Sequence, residues 1–427
     1  MISNLSRISR SAPYKSLLSA SKMSTFVERK IVAATCPAKI GDKLSDVDTP
    51  ALVIDRRAFE RNLEKMYKFV SSLDRKILLR PHAKTHKCAA IANIQIKRFG
   101  AIGMCCQKLD ELQALVEGGV GDVFITNEII GTKKILRLCA LAKSAKVSVI
   151  VDDIGNVREL SKAAVASGVE LDVLIEVNGG QNRCGVNVHQ GSGACVLLAQ
   201  EIVLCDALRF KGIHCYGGSL QHVRSVAERR QLVMDGPVAR ARIARDALSA
   251  VGIGCDIITG AGTGSYPFEV EGGVHNELQP GSYGLMDVDY GANEDGKDVF
   301  EPALFIHTTV LSTAVDTSRR AVVDAGMKAV SLDSGPPELL ISDTPKGIAA
   351  RGGDCRGVVY ECGGDEHGIL SGSVEALAVG DTVRLIPGHV DPTVNMHKYF
   401  VVVDAPSDGA EPEVVDIWEI GGSGPGF

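Results

Sequence analysis

Between Lys76 and Met286 the chain spells eight short apolar runs separated by stretches of helical spacing, and the residues suited to chemistry fall just after the runs. The runs are KILLR (76–80), AIGMC (101–105), DVFIT (122–126), VSVIVD (147–152), LDVLIEV (171–177), FKGIHCY (210–216), CDIITG (255–260) and SYGLMD (282–287). Unbroken apolar runs of this length are the signature of parallel strands buried on both faces. Helix-like segments such as Lys108–Val116, Lys133–Lys143 and Val157–Ala166 lie between them. Alternating strand and helix argues for a parallel sheet. Eight units favour closure into a (β/α)8 TIM-type barrel, with an open doubly wound sheet as the competitor. In a closed barrel the loops after the strands form one face, which carries the active site.

The flanks differ. Ala51–Asp55 is a short apolar run that either joins a later domain or leads into the barrel. Arg57–Val70 places Phe59, Leu63, Met66 and Val70 on one helical face. After Tyr290, Ala303–Leu311, Arg320–Asp324, Asp381–Leu385 and Tyr399–Val403 read as strands among Gly, Pro and Asp, as in a mostly β domain. The expected organisation is a leader over 1–27, the barrel over 45–295 and a C-terminal β domain over 296–427.

The net charge of -6 leaves no basic footprint for nucleic acid, and no run reaches the length of a membrane span. The 12 Cys are scattered without a CxxC, which fits a reducing, intracellular setting. Residues 1–27 hold eight Ser with Arg7, Arg10, Lys15 and Lys22, and no acid precedes Glu28. That composition suits a mitochondrial or plastid transit peptide, or a disordered leader on a cytoplasmic protein.

The loop after the first run reads Arg80-Pro81-His82-Ala83-Lys84-Thr85-His86-Lys87. A partly desolvated ammonium loses its proton more readily, and the free amine attacks carbonyls, so Lys84 is a candidate Schiff-base former. The loop Thr259-Gly260-Ala261-Gly262-Thr263-Gly264-Ser265 follows the seventh run, where barrel enzymes often bind phosphate. Its glycines let backbone N–H groups approach an anion. Thr259, Gly262, Thr263 and Gly264 are the candidates, with Gly281 and Ser282 at the start of the eighth run. A Schiff-base lysine and a phosphate cradle on one rim suggest pyridoxal phosphate. Gln107, Thr126, Asn127, Arg183 and Tyr216 sit on the same rim, with Arg183 suited to a phenolate oxygen and Tyr216 to the ring or phosphate. His389 and Asp391, two apart in a segment read as extended, point the same way and suit a divalent ion such as Mn2+, Zn2+ or Mg2+. Asp365-Glu366-His367 is a second acidic and imidazole cluster.

RPHAKTHK, CCQK, VDD, GQNRCGV, TGAGTG, ELQPGSY, DEHG and PGHVDPTVN occur in this order. Together, from about Thr49 to Val403, the chain closely resembles the D-threonine aldolase and D-serine dehydratase family of alanine-racemase-like pyridoxal phosphate enzymes. The resemblance implies a homodimer acting on small D-amino acids, with Lys84 as Schiff-base lysine and His389 and Asp391 on a divalent metal. His-x-Asp favours the aldolase branch, where a D-β-hydroxy-α-amino acid gives glycine and an aldehyde. The alternative is dehydration of D-serine or D-3-hydroxyaspartate to a keto acid and ammonia. An amino-acid racemase and a non-catalytic cofactor carrier are further readings. One departure is Gly217, where aldolases are expected to carry a His after the tyrosine. His222 is the candidate base in its place.

Overall fold

The strand that opens the described chain, β1 (Ala51–Asp55), does not belong with the next eight. The computed structural model describes residues 36–313, 319–340, 357–405 and 410–427, so the leader over 1–27 lies outside the described residues. Seven of the eight expected barrel strands form near their expected positions. They are β2 (Leu78–Leu79), β3 (Met104–Cys106), β4 (Asp122–Glu128), β5 (Lys146–Val151), β6 (Leu171–Glu176), β7 (Leu208–Cys215) and β8 (Ile257–Gly260). The eighth is β9 (Glu277–Leu278), and the order is β2-β9-β8-β7-β6-β5-β4-β3, parallel throughout. Ile102 N–H donates to Leu79 O at 2.9 Å and Cys105 N–H to Pro81 O at 2.8 Å. Those bonds join β3 to β2 and close the ring, which decides for the barrel against the open sheet.

The run SYGLMD is not a strand. Ser282–Gly284 is a 3-10 turn. Tyr283, Leu285 and Met286 are buried in a different core, against Phe59, Leu63 and Met66 of the helix Arg56–Ser71. The apolar content of this run serves helix packing below the second sheet, so hydrophobicity alone misplaces the strand. Gly281 and Ser282 consequently come after the eighth strand instead of preceding it.

Successive inward residues of a strand lie two apart, so they stack in layers up the barrel. Cys105, Phe124, Ile150 and Leu174 form an apolar layer with Ile257 packed against it. Two residues before that layer come Asp122, Ser148 and Asp172. Nearby, Arg80 Nη1 lies 2.5 Å from Asp122 Oδ1 and Arg80 Nε 3.2 Å from Glu277 Oε1. Two residues after it come Gln107, Thr126, Asp152, Glu176 and Thr259. The same step that buries an aliphatic side chain mid-barrel thus delivers a polar one towards the mouth.

The second sheet is mostly β and takes β1 as a central strand. β1 pairs antiparallel with β10 (Leu304–Thr313) and parallel with β16 (Tyr399–Asp404). β11 (Arg320–Val323) continues from β10, and β14 (Gly368–Ser371) and β13 (Val359–Cys362) continue from β11. β17 (Glu413–Glu419) closes the other edge, while β15 (Thr382–Ile386) pairs with β10 and with β12 (Glu338–Leu339). Ala51–Asp55 therefore joins the C-terminal domain. Among the described residues no helix is long and apolar enough to cross a membrane.

The helix Arg56–Ser71 links the two layers. Asp55 caps it, its Oδ1 accepting from Arg57 N at 2.9 Å and Ala58 N at 3.0 Å. Phe59 is 1% exposed and its ring centroid lies 6.0 Å from that of Trp418. Phe59→Ala should lower unfolding stability by ~3–5 kcal/mol, read as a reduced urea midpoint at unchanged slope.

Candidate active site

The lysine loop leaves β2 at the barrel mouth. His82 is the N-cap of the 3-10 turn Ala83–Thr85, and its Nδ1 accepts from Lys84 N at 3.2 Å. With Nδ1 accepting, the neutral ring carries its hydrogen on Nε2, which lies 3.0 Å from Thr126 Oγ1. Gln107 Nε2 donates to the same hydroxyl at 3.1 Å, and that hydroxyl donates to Cys106 O at 3.3 Å. Burial, and then the Lys84 charge, hold His82 well below its usual pKa, in agreement with the neutral tautomer. Beside it His214 Nδ1 bonds Glu176 Oε2, and its Nε2 lies 3.1 Å from Gln279 Oε1. Burial works against a charged His214, but the facing Glu176 outweighs it and raises the pKa.

One cavity collects these groups. Of the residues singled out in sequence, Lys84, Gln107, Thr126, Arg183, Tyr216, Gly262, Thr263, Gly281 and Ser282 line it. His82, Thr85, His214, Gln279 and Tyr290 also line it, and sequence reasoning misses them as site residues. The signal for His214 and Gln279 was available: each lies on an inward position of a barrel strand or just beyond it. Thr259 does not line the cavity. It is fully buried beneath, donating to Glu277 Oε1 at 3.0 Å and accepting from Gln279 Nε2 at 2.7 Å. Arg183 stands at the rim with its guanidinium 6.0 Å from the Tyr216 ring centroid.

Two of the glycine loop's backbone donors are not free for an anion. Gly262 N–H donates to Ser265 Oγ at 3.2 Å and Gly264 N–H to Gln221 Oε1 at 2.9 Å, so both donors are already used inside the chain. Gly264 does not line the cavity. The role of these glycines is steric: a Cβ on Gly262 would stand 2.5 Å from Gln221 Oε1, and one on Gly264 2.8 Å from Gln221 O. A Cβ on Gly281 would stand 2.5 Å from Thr85 Oγ1. That hydroxyl is buried and has no hydrogen-bond partner in the chain. A close approach of three loops with an unsatisfied hydroxyl at its centre fits a phosphate group held by Thr85, Thr263, Gly281 and Ser282.

The opposite side is supplied by the second domain. His389 is extended (φ -145°, ψ 125°), but Asp391 lies in the first turn of the short helix Val390–Val394, so the pair does not sit on a strand as expected. Asp391 Oδ2 lies 2.9 Å from Lys84 Nζ, and Asp391 Oδ1 is buried without a partner. Burial opposes ionisation of Asp391, but Lys84, Lys87 and His389 overcome it and hold the carboxyl well below the usual range. Asp391 in turn raises the Lys84 ammonium above its usual value and outweighs desolvation, so Lys84 holds its proton more firmly, not less firmly as expected from burial alone. His389 Nδ1 lies 2.8 Å from Asp333 Oδ2, which leaves Nε2 as its outward atom. An anionic oxygen without a donor beside an imidazole fixed by a carboxylate fits a divalent cation. Among the described residues no three or more His, Cys, Asp or Glu side chains form a metal cluster, so a cation here would rest on two protein ligands. Asp365-Glu366-His367 lies in the turn between β13 and β14, where Glu366 pairs with Lys328.

His222 stands apart from the lining. Its Nδ1 bonds Asp289 Oδ2, and its ring centroid lies 5.9 Å from that of Tyr290. Its hydrogen bond to the Asp289 carboxylate raises its pKa.

The alanine racemase N-terminal domain model matches residues 54–287, and the serine dehydratase domain model matches 303–403. D-threonine aldolase from Arthrobacter sp is 42% identical over 397 residues, 92% of this chain and 97% of the relative. The chain belongs to the alanine-racemase-like family of D-threonine aldolases. The 3-hydroxy-D-aspartate aldolase of Paracoccus denitrificans (strain Pd 1222) is 39% identical over 92% of this chain and 96% of its own. The crystal structure of D-threonine aldolase from Filomicrobium marinum superposes with TM-score 0.82 at 41% identity, covering 92% of this chain and all of that one. The chain is thus an enzyme of a carbon–carbon lyase family.

Behind the glycine loop lies a buried acid. Glu269 is 1% exposed, and Ser265 Oγ donates to its Oε1 at 3.0 Å. Burial pushes its pKa up from 4.5 to about 7. The unfolded carboxyl ionises first, so stability present below about pH 4.5 is lost as pH rises through about 7. Glu269→Gln should be more stable than wild type at pH 8, by up to about 3 kcal/mol, with no gain at pH 4. Denaturant unfolding at both pH values checks this, and equal stabilities at pH 8 would refute it.

Proposed function

We propose that this chain is a pyridoxal phosphate- and divalent-metal-dependent aldolase that cleaves D-threonine and related D-β-hydroxy-α-amino acids to glycine and an aldehyde, acting as a homodimer. The observation that carries the reading is the 2.9 Å contact between Lys84 Nζ and Asp391 Oδ2. It sets the candidate Schiff-base lysine of the barrel against the candidate metal carboxylate of the second domain. A reaction that needs both a carbonyl cofactor and a cation at one substrate has its parts within a few ångströms. The names of the relatives at 42% and 39% identity support aldolase chemistry.

Thr85, Thr263, Gly281 and Ser282 would hold the cofactor phosphate, Gln107 and Tyr216 its ring edges and Arg183 its phenolate oxygen. His389 and Asp391 would hold the cation. When bound, the cofactor supplies an electron sink for the pair left by the breaking Cα–Cβ bond, and the cation acidifies the substrate β-hydroxyl. The chain's own groups do the rest. His82, held neutral, fixes Lys84 through its backbone N–H and fixes Gln107 through Thr126. Lys84 carries its proton against Asp391 Oδ2. His222 stands outside the lining with its Nδ1 fixed by Asp289, so it would accept the hydroxyl proton at Nε2 only by way of a bridging water.

The test is product analysis with pyridoxal phosphate and Mn2+, on D-threonine and D-serine separately, with an EDTA control. Glycine and acetaldehyde from D-threonine, lost with EDTA, are expected. Pyruvate from D-serine without glycine from D-threonine would instead make the chain a dehydratase. Lys84→Ala should lose the visible absorption band of the lysine-bound cofactor and lose turnover by several powers of ten. A variant that kept the band would remove Lys84 from this role.

A further inference from the structure

Lys87 is a buried lysine that the proposed reaction does not use. Its side chain sits under the loop that carries Lys84, and the residue is 7% exposed. Its backbone has φ +50°, the left-handed region that a side chain with a Cβ rarely adopts. Its Nζ donates to the main-chain carbonyl of Lys84 and, at 3.3 Å, to that of Asp391. Its own carbonyl accepts from Gly422 N at 3.2 Å, which fixes the backbone at the strained residue. Burying an ammonium is unfavourable unless it is hydrogen-bonded, and this one gives its hydrogens to two segments some 300 residues apart in the chain.

We propose that Lys87 is a positioning residue that holds the Asp391 turn in register with the Lys84 loop, by bridging the two main-chain carbonyls from below. This rests on the proposal that His389 and Asp391 take a divalent cation. The short helix Val390–Val394 takes its place from bonds to other segments, such as Ser331 N–H to Thr393 Oγ1 at 3.1 Å. Asp287 Oδ2 holds one side of it, accepting from Val390 N at 3.0 Å. Lys87 holds the other side and ties the turn directly to the backbone of the lysine loop. Glu111 stands close by and accepts from Gln107 N at 2.7 Å, so the same small region also sets a cavity-lining glutamine. Burial lowers the Lys87 pKa, while Asp391 and Glu111 support the charge.

Charge and position predict opposite outcomes. As a bare positive charge near a cation site, Lys87 repels a metal ion, and its neutral replacement would bind metal more tightly. As a bridge, its loss frees the Asp391 turn and weakens binding. The experiment titrates Mn2+ into metal-depleted, cofactor-loaded wild type and Lys87→Met, reading free Mn2+ by electron paramagnetic resonance. The visible cofactor band is followed in the same samples. The expected result is Mn2+ binding weaker by roughly 10-fold to 100-fold with the band retained. Lys87→Gln keeps a donor without the charge, and should fall between the two and cover the case in which Lys87→Met does not fold. Binding equal to or tighter than wild type in either folded variant overturns the proposal. Wild type that binds no Mn2+ would instead overturn the metal reading on which it rests.

Discussion

Everything at this site depends on the two-residue repeat of a strand inside a closed ring. Once the ring is closed by the bonds from Ile102 and Cys105 to the β2 segment, each inward side chain has a fixed height. Phe124 and Leu174 lie in the dry middle, and Thr126 and Glu176, two residues on, rise into the polar end. The apolar layer separates the polar layer at the mouth from the Asp122, Ser148 and Asp172 layer beneath. The polar layer above it then operates where hydrogen bonds fix tautomers: His82 on Thr126, His214 on Glu176 and Gln279. The loops add reach, but the barrel sets the positions from which they start.

The two candidate ligand ends of the cavity are built from different chemistry. The barrel contributes neutral donors, small residues and a lysine. The second domain contributes anionic and imidazole groups from one short turn. Neither end makes sense without the other, because the Lys84 charge is what keeps Asp391 ionised in a buried place, and Asp391 is what keeps Lys84 charged.

Much of this was legible in the sequence, for identifiable reasons. Seven barrel strands were readable because they are continuous and apolar. The eighth was not, because β9 is only Glu277–Leu278 and a more apolar run comes after it in the chain. Lys84, Gln107 and Tyr216 could be placed on the rim from their position after a strand, whereas Gly281 was assigned to the wrong side of the eighth strand. Thr259 could not be separated from them, since a residue inside the last turn of a strand and one just beyond it look alike in sequence. The orphaned hydroxyl of Thr85 and the internal bonds of Gly262 and Gly264 depend on contacts between loops far apart in the chain. In the second domain β13 and β17 carry charges that interrupt the apolar pattern, as Glu361 and Asp416 do, while β12 and β14 are only two and four residues long, so none of the four stands out in sequence.

β1 pairs on one side with residues that lie some 250 positions later and on the other with residues some 350 positions later. A ribosome therefore completes the whole barrel before the partners of β1 exist. Until they emerge, Leu52, Val53 and Ile54 have no sheet to enter, although all three are fully buried in the finished molecule. The barrel cannot be separated cleanly from the second domain. A chain cut after Tyr290 would keep an apolar strand with two open edges, the kind of segment that recruits other chains. The order of synthesis makes the second domain the cover for the first residues of the fold, so late or failed synthesis of that domain is a problem of aggregation as well as of lost activity.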